Sequence, residues 1–171
     1  GHKRFNPTAR RLKKAREELI SKNEELMSLN EELAAINEEF EAINEELMLT
    51  NAQLEENELR YRNLFENTGS GIIVIEENTI VSLANENFAS SLGYTRDEIE
   101  NKKKWTEMVC EDDLEFMIKQ HYLRRNNPCE AKSSYEFRFK NKAGELRDNL
   151  LFISMIPGTK QSIASLFDIT D

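Results

Sequence analysis

A seven-residue repeat dominates residues 17–66 of this chain. Asn-Glu-Glu recurs at 30–32, 37–39 and 44–46, and large apolar residues stand between the copies at alternating steps of three and four. Those steps define the a and d positions of a heptad, the pattern that joins helices into a coiled coil. The predicted seam consists of Leu19, Leu26, Leu29, Leu33, Ile36, Phe40, Ile43, Leu47, Leu54, Tyr61 and Leu64. The repeat therefore predicts a long helix that pairs with the same helix of another copy.

The residues in and beside the seam indicate how stable the coiled coil is and how many helices it joins. In a parallel pair, Glu25 at position g faces Asn30 at position e of the other helix, and later heptads repeat this pairing. Such contacts give hydrogen bonds without strong Coulomb attraction, so we expect moderate stability, unless these residues only solvate the helix. Leu at a with Ile at d favours more than two strands, whereas Phe40 blurs that preference. We expect a parallel homodimer and leave a higher oligomer open.

The seam becomes polar near its end. Thr50 and Asn57 occupy consecutive d positions, just before the repeat gives way to a different kind of sequence. Polar residues at these positions hold the register of a coil weakly. We interpret residues 50–64 as a soft joint between the coil and the part that follows. The alternative is ordinary fraying of a coil near a domain boundary.

Charge divides the chain into three segments. A basic leader at 1–16 holds seven Lys or Arg and no acidic residue, whereas 17–60 holds fourteen Glu against Lys22 and Arg60. The net charge of −9 argues against nucleic acid as a partner, which requires a basic surface. The sequence contains no run of about 18 apolar residues, the length that a membrane span requires. We expect a cytoplasmic location. The leader is either a solvated segment or a polybasic stretch beside a membrane anchor further upstream.

Residues 67–171 have the pattern of a mixed α and β domain. Two glycines in NTGSG break the helix, and the apolar runs at 72–76 and 79–85 predict a β-hairpin. Three helices are predicted next, at 86–94, 95–99 and 111–127. Strands are then predicted at 133–141, 145–156 and 161–169. The predicted fold class is α+β, with a five-stranded antiparallel sheet and helices on one face.

At these residues the chain resembles a known family. RYRNLFENTGSGIIVI, ANENFASSLGYTRDEI, VCEDD after Trp105, YEFRFKNKAGE and FDIT, in that order, resemble a PAS domain over residues 61–171. The Asn-Glu-Glu-Leu repeat resembles the signalling helices that precede such domains in bacterial and archaeal sensor kinases. The resemblance implies the PAS sheet and a sensory role. It also implies that Asp168 and Thr170 begin the connection to an output domain, which would make them signal-relay residues together with Thr50 and Asn57.

Few residues suggest a ligand. Haem-binding relatives ligate iron with a His on the long helix, and His121 lies on that predicted helix, although Ile118 aligns closer to the ligand position. The alternative for His121 is a hydrogen-bonded or edge histidine. The Gly-x-Asn-Cys-Arg-Phe-Leu-Gln motif of flavin photosensors has no match in this sequence. Alternating Tyr135, Phe137 and Phe139 indicate core packing, and a small-molecule ligand between sheet and helices stays open with no residue to identify it.

No combination of residues predicts catalysis or metal binding. The chain contains no Ser/His/Asp set, no phosphate-binding loop and no metal-ligand cluster. Two cysteines, Cys110 and Cys129, are too few for a four-cysteine zinc site, and we expect free thiols rather than a disulfide. We therefore expect no enzyme activity and no cofactor in this chain.

These observations support three functional hypotheses. The first is a sensory input module of signal transduction that dimerises through the coil and relays the state of the PAS domain to an effector beyond Asp171, with a histidine kinase as the expected effector. The second is a scaffold that only fixes the oligomeric state. The third is a haem or flavin sensor.

Overall fold

The computed structural model describes residues 6–171, so the first five residues of the basic leader lie outside the described part. Contacts between Cα atoms divide the chain into two compact units, with the boundary between Glu58 and Leu59. The long helix α1, Pro7–Glu66, runs through that boundary. The described part of the basic leader, apart from Asn6, is therefore helical.

Helix α1 begins and ends where local chemistry dictates. Pro7 occupies its first position, where a missing N–H is harmless. The side chain of Asn6 accepts a hydrogen bond from the N–H of Thr8 at 3.1 Å, which caps the N-terminus. After Pro7, no proline or glycine interrupts this 60-residue helix. Past Glu66 the chain turns through Gly69, whose φ of 70° lies in the left-handed region.

The second unit is built on one antiparallel sheet of five strands. The strands are β1 Gly71–Ile75, β2 Val81–Ala84, β3 Ser134–Lys140, β4 Leu146–Met155 and β5 Ser162–Asp168. Their spatial order is β2-β1-β5-β4-β3, and every neighbouring pair is antiparallel. The predicted hairpin at the start of the domain is confirmed, because β1 pairs with β2. The predicted fold class is confirmed as well.

Three helices follow the first hairpin. They are α2 Glu86–Ser91, α3 Arg96–Ile99 and α4 Glu111–Asn126, with a 3₁₀ turn at Trp105–Glu107 that the sequence did not predict. The predicted capping box at α3 is present, since the Thr95 and Glu98 side chains each accept a hydrogen bond from the other residue's backbone N–H. Gly93, with a φ of 76°, ends the α2 segment as expected.

The core lies between one face of the sheet and these helices. Alternate residues of the strands point inward, as the buried side chains of Ile73, Phe137 and Leu151 illustrate. Helix α2 lies so close to β1 that a Cβ on Gly71 would stand 3.2 Å from the Cα of Phe88. The opposite face carries exposed Phe152. Burial thus follows a period of two in β3, β4 and β5, whereas successive residues of β1 are buried.

Candidate functional site: an exposed helical seam and a donor-lined cavity

The predicted seam is a long row of exposed residues along α1, most of them apolar. Its apolar members from Leu19 to Leu64 are each more than half exposed in the single chain. Of the residues of α1, all of which the structure describes, Phe65 alone is buried. An apolar row of this length greatly exceeds the isolated exposed residues of an ordinary surface.

The polar members of the seam are exposed too. Thr50 and Asn57 lie on the exposed helix surface, as the heptad register requires. Lys22, another d position, forms a salt bridge with Glu25 at 3.4 Å. Both side chains of that pair are largely exposed, so it adds little stability. The a and d positions are therefore all apolar between residues 26 and 47 and include polar residues on either side of that range.

Within the second unit, the side chain of Asn85 fixes the end of α1. This residue is completely buried, and its Nδ2 donates to the carbonyl oxygens of Phe65 at 2.8 Å and Ser70 at 2.9 Å. Its Oδ1 accepts from the N–H groups of Ile72 and Phe88. One amide thus joins the end of α1, the following turn, strand β1 and helix α2. No local sequence pattern indicates this role.

A carboxylate reinforces the same junction. Glu66 accepts a hydrogen bond from Arg96 at 2.6 Å and another from the N–H of Glu86 at 2.9 Å. Arg96 also contacts Glu100 at 3.0 Å. Partial burial lowers the pKa of Arg96, but its hydrogen bond to Glu100 and the charges of Glu100 and Glu66 outweigh this and raise the pKa above the ordinary value. The junction is therefore partly electrostatic and lies within the second unit.

Asp168 and Thr170 form hydrogen bonds at the C-terminal end of strand β5. The N–H of Thr170 donates to Asp168 Oδ1 at 2.9 Å, and Thr170 Oγ1 accepts from the N–H of Asp148 at 2.9 Å. The hydrogen bond from Thr170 holds the pKa of Asp168 below its usual range. These contacts give both residues a structural role at the end of β5, and the predicted relay role stays a prediction.

A small cavity lies between the sheet and α4. Its volume is about 20 Å³, which is more than the roughly 10–15 Å³ that a single water molecule requires. It is lined by Ile73, Ile75, Trp105, Met117, His121, Arg124, Tyr135, Phe137, Phe139, Leu151, Ile153 and Leu166. Two members of the predicted aromatic stripe, Phe137 and Phe139, therefore belong both to the core and to the wall of this cavity.

His121 is buried, and both of its ring nitrogens have partners. Nε2 lies 2.9 Å from the carbonyl oxygen of Glu77, and Nδ1 lies 3.1 Å from a guanidinium nitrogen of Arg125. The neutral ring with its proton on Nε2 satisfies both contacts. Burial lowers the pKa of His121, and the charges of Arg125 and Arg124 lower it further. A haem ligand at His121 would have to give up one of these contacts and would need a cavity far larger than this one.

Besides His121 and Tyr135, two residues with polar side chains line the cavity, and no sequence pattern indicated them. Arg124 is only 4% exposed, and its guanidinium donates to the carbonyl oxygen of Lys132 at 2.5 Å. The Trp105 side chain is also 4% exposed, and its Nε1 is a buried donor that finds no hydrogen-bond partner among the described residues. No sequence motif indicates that either residue is buried. An Arg near the C-terminal end of a helix is usually exposed to solvent and interacts favourably with the helix dipole.

The remaining predicted residues lie apart from the cavity. Cys110 is half-buried before α4, and Cys129 is exposed; both are free thiols. Within residues 6–171 no group of three or more His, Cys, Asp or Glu side chains is arranged to hold a metal ion. No helix in that same range is long and apolar enough to cross a membrane.

Comparison with known proteins points to one fold. A family model described as the PAS fold matches residues 81–149. No curated protein sequence matches the chain.

Several solved structures share this fold. The PAS domain of an HTR-like protein from Haloarcula marismortui is 21% identical with a TM-score of 0.57, over 71% of this chain and 99% of that one. A domain of the sensory box sensor histidine kinase/response regulator from Geobacter sulfurreducens is 21% identical with a TM-score of 0.55, over 67% and 96%. The PAS domain of a LuxR-family transcriptional regulator from Burkholderia thailandensis, in complex with ethanol, is 14% identical with a TM-score of 0.52, over 65% and 98%.

Proposed function

We propose that this chain, which contains a PAS domain preceded by a long helix, is a dimeric sensory input module of a signal-transduction protein. The exposed a/d seam of α1 is the observation that carries the proposal. A helix whose apolar row has no partner in its own chain is stabilised by pairing with the row of another copy. The fold supplies the sensory part, and the seam supplies the contact through which two sensory parts act together.

The junction at the end of α1 supports a relay between the two parts. Asn85 and Glu66 tie the last turn of α1 to strand β1 and helices α2 and α3. A change of packing in the PAS core that moves α2 or β1 therefore acts on α1 directly. The polar positions Thr50 and Asn57 would let the coil respond by a small shift of register, which makes residues 50–64 a two-state element.

The effector is a finer part of the proposal. The similar domain from Geobacter sulfurreducens comes from a sensor histidine kinase/response regulator, and the repeat resembles the signalling helices of such kinases. We propose a histidine kinase as the output domain beyond Asp171, with Asp168 and Thr170 at the connection. We assign no catalytic role to the residues of this chain.

Light scattering of the purified chain tests the dimer. We expect twice the mass of the 171-residue chain at micromolar concentration. Ile36→Asp with Ile43→Asp should give monomers, because each places a charge inside the seam. Ala35→Asp with Ala42→Asp is the matched control, since it adds the same charges at solvent-facing c positions of the same heptads. A monomeric wild type, or equal dissociation of both variants, would reject the proposal.

Orientation is tested by cross-linking. With Cys110→Ser and Cys129→Ser as background, Leu26→Cys places one thiol near an end of the seam. In a parallel, in-register pair the two thiols face each other and form a disulfide on mild oxidation. An antiparallel pair would hold them far apart and give no covalent dimer.

Thr50→Ile with Asn57→Ile tests the soft joint. Both changes should strengthen the coil and raise its melting temperature. A working joint additionally predicts that the longer parent protein becomes locked in one output state. Variants that melt higher yet leave signalling unchanged would identify residues 50–64 as an ordinary fraying boundary, and the chain would then act as a scaffold.

A further inference from the structure

The wall of the cavity beneath the sheet is mostly apolar and contains no Asp or Glu. Its polar side chains belong to Arg124, Trp105, Tyr135 and His121. The ring of His121 is already satisfied by Glu77 and Arg125. The other side chains of the wall are apolar. We propose that this cavity binds a small carboxylate, of the size of formate or acetate, held by Arg124 and Trp105.

The charge on Arg124 is the first argument. Its side chain is buried, yet among residues 6–171 no Asp or Glu forms an ion pair with it. It donates hydrogen bonds to the carbonyl oxygens of Lys132 at 2.5 Å and of Gln120 at a long 3.5 Å, and it is also hydrogen-bonded to the neutral side chain of Tyr135. A buried charge without a counter-charge is costly. The direction of the pKa agrees, because burial lowers the pKa of Arg124 and the only opposing influence is that of Tyr135. An anion in the cavity would supply the missing counter-charge.

The unpaired indole donor is an independent second argument. Trp105 lines the same cavity, and its buried Nε1 donates to no described residue. Buried side-chain donors are nearly always paired, so an unpaired one indicates a missing acceptor. Two donors of this kind on one wall favour an acceptor-only ligand over an alcohol or an amine.

The shape of the guanidinium favours a carboxylate over a halide. It carries five N–H groups in a planar fork that matches two carboxylate oxygens, and its bonds to Lys132, Gln120 and Tyr135 do not use all five. The volume of about 20 Å³ limits the ligand to very few heavy atoms. Met117, an unbranched wall residue, is the side chain best able to shift for a methyl group.

This inference deepens the proposed function, because it rests on the PAS domain being the sensory part and names the class of ligand that it would sense. The two can fail separately. Loss of the dimer would leave carboxylate binding to the second unit intact, and failure of carboxylate binding would leave the seam and its mass measurement untouched.

The chain's single tryptophan, Trp105, is the reporter for the test. Sodium formate and sodium acetate are titrated into the full chain at constant ionic strength set with sodium sulfate, and tryptophan fluorescence and melting temperature are recorded. We expect a saturable fluorescence change and a rise in melting temperature with formate or acetate. A response to chloride alone, a response that follows ionic strength only, or no saturation would overturn the assignment.

Substitutions locate the site. Arg124→Met should weaken carboxylate binding at least about tenfold, since it removes a charged donor, and Arg124→Lys should weaken it less, since it keeps the charge but loses the fork. Lys119→Gln removes one positive charge from an exposed position of the same helix and should leave the response unchanged.

Stability without ligand adds a second readout. Arg124→Met should keep or raise the melting temperature in ligand-free buffer, because it removes a buried uncompensated charge. If Arg124→Met does not fold, the same test is made with Arg124→Lys and Trp105→Phe, whose response to carboxylate is followed by melting temperature. Equal carboxylate responses in the wild type and in all these variants would reject the site.

Discussion

The two units of this chain are stabilised in opposite ways. In the first unit, the apolar row of α1 is exposed in the single chain, and the proposed dimer would supply its packing. In the second, Ile73, Phe88 and Trp105 are each at most 4% exposed within one chain, so the core is complete by itself. The regular repeat of α1 produces a long apolar surface but no complementary surface in the same chain. The irregular sequence of the second unit, in contrast, supplies both sides of its own core.

Separating the two units gives the largest expected effect. A peptide of residues 6–58 should lose most of its helicity on dilution, because an isolated helix gains no tertiary packing. A fragment of residues 59–171 should unfold cooperatively at a temperature that does not depend on concentration. Circular dichroism at two concentrations a hundredfold apart checks both. A peptide whose helicity ignores dilution would show that α1 does not depend on a partner.

Asn85→Ala should strongly destabilise the second unit only. The change leaves the buried carbonyl oxygens of Phe65 and Ser70 and the N–H groups of Ile72 and Phe88 without a partner. We expect a loss of about 3 kcal/mol in the free energy of unfolding, measured with urea.

Asn87→Ala, at an exposed position of α2, is the matched control for this change and should cost less than about 1 kcal/mol. If both variants lost the same stability, the junction at Asn85 would not be the element that fixes the end of α1.

His121→Gln should produce the smallest effect, visible only in acid. Because the pKa of His121 is lowered in the folded state, the unfolded state binds more protons as the pH falls below about 6.5, and stability decreases with falling pH. The contribution of one such group cannot exceed about 1.4 kcal/mol per pH unit. Glutamine can donate to Glu77 and accept from Arg125 without titrating.

The pH dependence of the difference between wild type and variant checks this assignment. Urea unfolding from pH 7.5 to pH 5 should show the wild type losing more stability than His121→Gln. Taking the difference removes the shared contributions of the carboxylates and of His2, which lies outside the described residues. Parallel curves would mean that His121 is not held neutral by burial and by the neighbouring charges of Arg124 and Arg125.

The sequence by itself determined the elements of this protein. Heptad spacing predicted α1, alternation predicted the strands, and Thr95 with Glu98 predicted a capping box, because each of these signals depends on residues within a few positions of one another. The same local signals predicted the order of elements and hence the fold class. The exposure of the seam could also be predicted, because a single long helix offers no other element against which its narrow apolar stripe can pack.

Only the tertiary structure decided which polar residues matter. Asn85 reaches the carbonyl of Phe65 across 20 positions, and Arg96 reaches Glu66 across 30, so no local pattern reveals either contact. The sequence alone suggests that Arg124 is a solvent-exposed cation at the end of a helix. In the fold it is buried, and it lines one small cavity together with Trp105. The meaning of a charge depends on what surrounds it, and in this protein those surroundings come from strands and helices distant in the chain.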